Sequence, residues 1–209
     1  MGLSFFLGGM QLTLLVTALA FSGALILGAV FAGMRISPIA SFRVLASIYV
    51  GAVRNVPVLA ILFMVVYGLP QIGIRISLFW SAVLVLMCYE AVYASEAFRS
   101  GVNAVDPGTA MAARALGLTN LETFWSIVLP QAARNVVQPL ANVFIKTALN
   151  SSIVAVIGLV DITGAAERIN VDTPAPMIFF IAGFFYVAIS LLAGRGAARL
   201  ERIVSKARG

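Results

Sequence analysis

The sequence contains no histidine and a single cysteine, Cys88. A disulfide within the chain is therefore impossible, and we expect no zinc site and no catalytic Cys–His or Ser–His pair. Lysine occurs only at Lys146 and Lys206, and neither follows a glycine-rich loop. Because the sequence thus lacks a Walker A motif, we expect no ATP hydrolysis by this chain. We predict no catalytic residues, no metal and no cofactor.

Charged residues are also scarce. They make up 11% of the 209 residues, whereas 61% are hydrophobic; soluble domains carry about 25% charged residues. The bilayer is therefore the expected solvent. The net charge of +6 does not indicate nucleic-acid binding, because the basic residues lie near the ends of apolar runs. The first residues lack a basic n-region, so we expect the first apolar segment to remain as a helix.

Five segments are candidates to cross a membrane, which requires roughly 20 mostly apolar residues. They lie at about Leu12–Met34, Val56–Leu69, Ile76–Phe98, Val136–Val160 and Thr173–Gly194. The second is short, and we expect it to extend into its flanking residues. The sequence therefore predicts an all-α integral membrane protein with one domain over residues 1–209.

The distribution of basic residues predicts the orientation. Three groups of them follow the first span, the third span and the fifth span: Arg35, Arg43, Arg54; Arg99, Arg114, Arg134; and Arg195, Arg199, Arg202, Lys206, Arg208. The opposite side holds only Arg75 and Arg168. The positive-inside rule places the N-terminus outside and the C-terminus in the cytoplasm, which agrees with five crossings.

Between the third and fourth spans, residues 106–130 carry strong helix-end signals. Asp106–Pro107 is typical of an N-cap followed by proline at the first helical position, and Gly117 suits the position after a helix end. Thr119 and Glu122 have the spacing of a capping box. We predict two short helices separated at Gly117, the second ending before Pro130.

One face of the first short helix carries Ala110, Ala113 and Gly117, whose small side chains permit close approach by another surface. Met111, Leu116 and Leu118 add apolar contact area. A helix that packs beneath the membrane bundle explains this pattern as well as a helix that docks on a partner. The capping signals predict helices and say nothing about a partner.

The same stretch resembles the EAA loop of ABC-importer permeases, whose pattern is Glu-Ala-Ala, three residues, Gly, nine residues, Ile, one residue, Leu-Pro. Six positions match it, and Met111 stands where the family has glutamate: Ala112, Ala113, Gly117, Ile127, Leu129, Pro130. The resemblance implies a cytoplasmic coupling helix that docks on a separate ATPase subunit. The implied coupling residues are Met111, Ala112, Ala113, Ala115, Leu116, Gly117, Ile127, Leu129 and Pro130.

Most of the chain is similar to the polar amino-acid branch of that family. The stretch from Tyr49 to Pro70 resembles its Arg-x-Thr-Pro region, with Val56 replacing threonine. "YEAVYASEAFRSGVNAVDPG", "LPQAARNVV" and "NSSIVAVIGLVDIT" resemble its third and fourth helices. "MIFFIAGFFYVAISL" resembles the last helix, most closely that of glutamate/aspartate permeases. The implied partners are two ATPase subunits, a second permease subunit, a solute-binding protein and an amino acid.

Two charges lie well inside predicted spans, where each costs about 2.5–3.5 kcal/mol on insertion scales. Glu90 and Lys146 are therefore candidates for the substrate path, and they could also pair with one another. Glu90 could instead be a buried acid that fixes packing. Tyr89 or Tyr93 could be the partner of its carboxylate or line a polar cavity beside it, and Tyr93 is a further candidate for the substrate path. Lys146 suits the carboxylate of an amino acid, although the resemblance leads us to expect an uncharged residue there.

Asn150, Ser151 and Ser152 form a third polar cluster, which resembles the family's Asp-Thr-Ser run with Asn150 in place of the acid. Asn150 lies one turn from Lys146, so both could face one cavity. Serine hydroxyls often bond back to the preceding helical turn, and this interpretation is preferred for Ser152. Glu96 and Arg99 are expected to be structural anchors near the cytoplasmic boundary.

We predict a permease subunit of a bacterial inner-membrane ABC importer for polar amino acids. An acidic substrate such as glutamate or aspartate is slightly favoured, although Glu90 would repel it unless protonated or paired, and a cationic or neutral amino acid fits Glu90 better. The external segment Asp161–Asp172 is expected to help receive the binding protein, unless it is merely a solvated loop. The alternatives are a secondary transporter or channel without an ATPase, and a non-conducting partner in a heterodimeric permease.

Overall fold

The computed structural model describes residues 2–172 and 174–206. Thr173, the predicted start of the fifth span, and Arg208 of the basic tail lie outside them. Ten α-helices occur in the described part of the chain: α1 (Gly2–Ile36), α2 (Ala40–Arg54), α3 (Val58–Phe63), α4 (Leu78–Asn103), α5 (Pro107–Ala115), α6 (Asn120–Thr123), α7 (Leu129–Asn135), α8 (Val137–Asn150), α9 (Ile162–Asp172) and α10 (Met177–Lys206). Short π and 3-10 segments extend several of them.

Among the described residues, four helical segments are long and apolar enough to cross a membrane: Ser4–Ile36, Leu78–Asn103, Val137–Ile157 and Met177–Ile203. They correspond to the first, third, fourth and fifth predicted spans. The second predicted span falls on a helix pair, Ala40–Arg54 and Val58–Ile72, which is bent by 98°. If this pair is one crossing, the chain has the five spans that the sequence predicts.

A π-helical turn precedes each of two Leu-Pro steps. Met64–Gly68 leads into Leu69–Pro70, and Phe124–Val128 leads into Leu129–Pro130. Proline cannot donate to the carbonyl four residues back and its ring clashes with that carbonyl; a wider turn moves the carbonyl away. The prediction that a helix ends before Pro130 is wrong, because the helical path continues through Pro130 to Asn135.

The helix ends around Gly117 agree with the sequence prediction. Asp106 accepts a hydrogen bond from the Gly108 N–H at 3.1 Å and caps α5. Gly117 has φ +93°, and the N–H of Leu118 bonds the Ala113 carbonyl in a Schellman arrangement. The Thr119–Glu122 capping box is present at the start of α6. Local chemistry therefore fixes the shape of this loop.

Small residues bring α1 and α4 into close contact at the centre of the fold. A methyl group at Gly28 would lie 3.0 Å from the carbonyl oxygen of Ala91. Ala20 and Ala24 of α1 and Ala94 of α4 are also buried. On the same core, Leu62 of the helix Val58–Ile72 packs with Leu86 of α4. This close packing positions α4, which carries several of the candidate site residues.

A second apolar cluster lies where the N-terminal part of α1 meets α9 and α10. Its buried members are Phe6, Ile162, Ala165, Ala166 and Ala182. By contrast, α10 keeps large apolar side chains exposed along its length, including Phe180, Phe184 and Leu192. Such a surface is suited to lipid or to another apolar protein surface rather than to water.

Candidate substrate path and coupling surface

A groove of about 300 Å³ lies between α4 and α8. The helices run antiparallel here, so that Glu90 lies beside Asn150 and Tyr93 lies beside Lys146. The groove continues from this level toward the C-terminal end of α4. Its lining residues are Tyr93, Glu96, Ala97, Ser100, Pro139, Asn142, Val143 and Lys146.

Lys146 presents its charge to this groove. Its Nζ lies 4.7 Å from the centroid of the Tyr93 ring, a cation–π arrangement. The side chain is exposed in the isolated chain. The Tyr93 hydroxyl in turn lies 3.3 Å from that of Tyr89. The structure therefore brings together Lys146 and Tyr93, two of the predicted path residues.

Glu90 is fully buried and does not line the groove. The Asn150 side-chain amide donates to Glu90 Oε1 at 2.7 Å, while Glu90 Oε2 has no hydrogen-bond partner. Neither Tyr89 nor Tyr93 is its partner, and no ion pair joins Glu90 to Lys146 within residues 2–172 and 174–206. The predicted alternatives of a Glu90–Lys146 pair and of a Glu90–tyrosine bond are therefore not realised.

The hydroxyls of Ser151 and Ser152 bond back to the preceding turn. Each donates at 2.7 Å, to the carbonyls of Ala148 and Leu149 respectively. This confirms the interpretation preferred for Ser152 and extends it to Ser151, which is buried. Both serines stand at the start of the 3-10 segment Ser151–Ile157. Their geometry indicates a role in shaping the backbone after Asn150.

Glu96 joins three helices at the end of the groove. Its Oε1 lies 2.6 Å from Arg35 Nη1 and 3.6 Å from Arg54 Nη1, and its Oε2 accepts from Arg99 Nη2 at 2.9 Å. The sequence predicted only the Arg99 contact, which is local to α4. The contacts of Arg35 and Arg54 with Glu96 were not predicted, because these arginines belong to α1 and α2 and no sequence spacing relates them to Glu96.

The predicted coupling residues divide by exposure. Leu116 is 83% exposed and Met111 is 59% exposed, and Ala112, Ala115 and Gly117 are exposed as well. Ala113 is instead buried, and it anchors α5 from beneath. The later part of the motif is half-buried at the level of the bundle: Ile127, Leu129 and Pro130. The first part of the motif, around Met111 and Leu116, is thus an exposed tip, whereas its remaining residues pack against the rest of the chain.

Two exposed residues of this region were not predicted. Leu121 is 68% exposed and Trp125 is also mostly exposed, and both belong to the helical segment that begins at the capping box. Their exposure could have been predicted from the sequence, because large apolar side chains stand there among polar neighbours on a short helix. Hydrogen bonds from the Thr119 backbone N–H and hydroxyl lower the pKa of Glu122, which completes the capping box beside them.

On the other side of the molecule, Asp161 is fully buried rather than solvated. It precedes α9 and accepts hydrogen bonds from the Gly164 N–H at 2.9 Å and the Tyr186 hydroxyl at 2.8 Å. Burial raises the pKa of Asp161, although these hydrogen bonds oppose the shift. The segment is a helix and not a loop, with Glu167 and Arg168 exposed beside a cavity of about 460 Å³.

Residues 10–206 match a family described as the inner membrane component of binding-protein-dependent transport systems. The chain belongs to that family. The probable glutamine ABC transporter permease protein GlnM of Bacillus subtilis is 32% identical over 97% of this chain and 94% of its own. The arginine transport system permease protein ArtQ of the same organism is 36% identical over 90% of this chain and 87% of its own.

A crystal structure of an amino acid ABC transporter with histidines superposes with a TM-score of 0.91 at 33% identity. The match covers 95% of this chain and 94% of the other. The chain is therefore a permease subunit of a binding-protein-dependent ABC amino-acid importer and a multi-pass membrane protein. The EAA loop and coupling helix are typical of this family, in which the ATPase is a separate subunit.

Proposed function

We propose that this permease carries an acidic amino acid, such as glutamate or aspartate, along the groove between α4 and α8. The observation that supports this most is that Lys146 is the charge exposed there while both nearby acids are engaged. Glu90 is buried against Asn150, and Glu96 is surrounded by Arg35, Arg54 and Arg99. A groove with this distribution attracts an anion.

Glu90 does not contact a substrate in the groove, because it is buried away from the groove lining. Its carboxylate has no exposed surface, and Asn150 donates to one oxygen. A substrate in the groove contacts Lys146 and Tyr93 instead, through its carboxylate and its apolar stem. A lysine beside a carboxylate forms a charge-assisted hydrogen bond, which is stronger than a neutral one.

The exposed tip formed by Met111, Leu116, Leu121 and Trp125 is proposed to dock on the ATPase. Its apolar side chains stand on helices whose ends are fixed by Asp106, Gly117 and the Thr119–Glu122 box. Two permease subunits in the bacterial inner membrane would enclose the path, and two ATPases would bind their tips. Closure of the ATPases turns the cavity from inward to outward facing, and hydrolysis reverses the change.

The cavity beside α9 is the proposed contact for the solute-binding protein. Glu167, Arg168 and Asp172 give this surface both signs of charge. A binding protein with complementary charges can therefore be held in one orientation. The buried Asp161 network fixes α9 to α10 beneath it.

The test is reconstitution of the chain with its cognate ATPase, its binding protein and a second permease subunit in vesicles. Uptake of labelled glutamate is measured while each common amino acid is added as a competitor. We expect competition by aspartate and weak competition by arginine or lysine. Preferential competition by cationic amino acids would overturn the acidic assignment and leave the permease role intact.

An ATPase subunit inactivated in its Walker B carboxylate separates the importer from a secondary transporter. We expect uptake to stop with that subunit although the complex still assembles. Uptake that persists, driven by an ion gradient, would support the secondary-transporter alternative.

A further inference from the structure

The helix α2 stands at a right angle to the helix that follows it. The bend between Ala40–Arg54 and Val58–Ile72 is 98°. Leu62 and Val65 of the second helix pack along α4 with Leu86 and Phe79, so this helix follows α4 across the membrane. Consequently α2 lies close to the membrane plane rather than across it.

Contacts at its two ends place α2 at one membrane surface. Arg43 Nη1 donates to the carbonyls of Ser37 and Pro38, directly after the end of α1. Arg54, at the other end, reaches Glu96, which also binds Arg35 in the last turn of α1. The helix therefore runs beside the C-terminal end of α1 and the C-terminal half of α4, which the predicted orientation places toward the cytoplasmic side.

The side chains of α2 form three faces. Ala46 and Val50 are buried against the bundle. A second face exposes large apolar side chains, with Val44 57%, Leu45 61% and Ile48 64% exposed. At 100° per residue, Arg43, Ser47 and Arg54 fall within a narrow third edge. Apolar and basic faces side by side are the pattern of a helix that lies in a bilayer interface.

Acidic side chains balance only part of the positive charge along this basic edge. Arg35, Arg54 and Arg99 share Glu96 as their ion-pair partner among the described residues, whereas Arg43 donates to the carbonyls of Ser37 and Pro38. Four arginines and one carboxylate leave a local charge of +3. Arg54 keeps half of its side chain exposed, and Arg43 is exposed too.

We propose that α2 is an interfacial helix that binds the headgroups of anionic phospholipids through Arg43 and Arg54. Its apolar face, with Leu45 and Ile48, enters the acyl region, while the guanidinium groups reach phosphate oxygens at the surface. Guanidinium groups bind phosphate with two parallel hydrogen bonds. An apolar contact with a second permease subunit would cover Leu45 and Ile48 but leave this basic edge unneutralised.

This inference goes beyond the proposed function and requires only that the chain is embedded in a membrane. The test uses the chain with Cys88→Ala and Ile48→Cys, labelled with a small fluorophore at position 48. It is purified together with its partner subunits and placed in vesicles of equal phosphatidylcholine and phosphatidylglycerol. A trace of either lipid carries a spin label that quenches the fluorophore. A matched probe at Phe180→Cys on α10 reports on a lipid-exposed site without the basic edge.

We expect spin-labelled phosphatidylglycerol to quench the position-48 probe about fivefold more effectively than phosphatidylcholine, and the preference to weaken with salt. The Phe180→Cys probe should show no preference. Arg43→Gln with Arg54→Gln should abolish the preference, whereas Arg43→Lys with Arg54→Lys should retain it. Arg199→Gln, at an exposed position of α10, should change nothing.

Two results would overturn the proposal. Equal quenching by the two lipids at position 48 would show that α2 does not select anionic headgroups. Absence of quenching by either lipid would show that protein, such as the second permease subunit, covers the exposed face. Because none of these measurements depends on the transported solute, failure of the acidic-substrate proposal leaves the result interpretable.

Discussion

Lys146 places a positive charge in the groove between α4 and α8, above the ring of Tyr93. We predict that Lys146→Gln raises the KM for uptake of an acidic amino acid by at least about tenfold, because a hydrogen bond to a charged group contributes roughly 1.5–3 kcal/mol. Lys146→Arg should keep part of the affinity. The measurement is initial uptake by vesicles that contain the complete importer.

The matched control is Arg195→Gln, which removes one exposed positive charge from α10 and leaves the groove unchanged. It should have the KM of the unsubstituted protein. If Lys146→Gln transported normally, then Lys146 would not contact the substrate, and the non-conducting role in a heterodimer would gain support.

Asp161 holds α9 to α10 through Gly164 and Tyr186. We predict that Asp161→Ala lowers the free energy of unfolding by about 1–3 kcal/mol, because the Tyr186 hydroxyl and the Gly164 N–H each lose an acceptor. Asp161→Asn keeps an N-cap side chain and should lose less. Thermal unfolding in detergent measures both.

The pH dependence of that stability follows from the raised pKa of Asp161, whose ordinary value is 3.8. In the unfolded chain the carboxyl loses its proton first. Stability therefore falls as the pH rises from the unfolded pKa through the raised folded pKa, and then becomes constant. Asp161→Asn should lack this fall. A difference between the two proteins that does not vary with pH would contradict a buried, titrating carboxyl.

At the scale of single elements, the coupling loop depends on the left-handed backbone of Gly117, at φ +93°. We predict that Gly117→Ala reduces uptake several-fold while the amount of protein in the membrane stays the same. A non-glycine residue in this conformation costs roughly 1–2 kcal/mol, which displaces the exposed tip around Leu116. ATP hydrolysis and uptake by the same vesicles give the coupling ratio.

Gly194→Ala is the control for this substitution. At both positions an added methyl group meets no atom within 4 Å, so only the backbone conformation differs. Normal uptake and an unchanged coupling ratio with Gly117→Ala would mean that the loop tolerates a different ending for α5, and that the tip does not transmit closure of the ATPase.

The sequence predicted well those helices whose ends are determined by residues close to them in the chain. Asp106, Gly117 and the Thr119–Glu122 box act within four residues of themselves, so their structure follows from their own chemistry. Pro130 was misjudged because its effect depends on whether the preceding turn can widen. The 98° bend before Val58 was also missed. Hydropathy measures how apolar a segment is and does not indicate the direction of a helix axis or a bend between two helices.

At the scale of the whole molecule, the predicted orientation is open to a direct test. In a chain with Cys88→Ala, we predict that Arg75→Cys reacts with a membrane-impermeant maleimide in intact spheroplasts. Arg199→Cys should react only after permeabilisation, because the positive-inside rule places it in the cytoplasm. Both positions are exposed, so burial does not protect either cysteine.

Labelling of both positions in intact spheroplasts, or of Arg199→Cys alone, would contradict five crossings with an external N-terminus. The test is independent of activity, and the unlabelled Cys88→Ala chain provides the background.

The sequence could not predict which site residues are exposed or which of them contact one another, because both depend on how the helices pack together. The apolar runs placed Glu90 and Lys146 inside spans, but their different exposure depends on how α4 and α8 are rotated toward one another. The Asn150–Glu90 bond joins residues 60 positions apart, and Arg35 lies 61 positions from Glu96. Such contacts are fixed by the packing of the whole bundle, which no single helix pattern contains.

The tight seam between α1 and α4 has a consequence for how the transporter moves. At Gly28 the backbones approach so closely that an added methyl group would overlap the side chain of Ala94. We therefore expect the two helices to move together, as one rigid strut, during each cycle. Any rearrangement that alternately opens the two sides has to occur around this strut, at the looser boundaries with α8 and α10 or between neighbouring subunits.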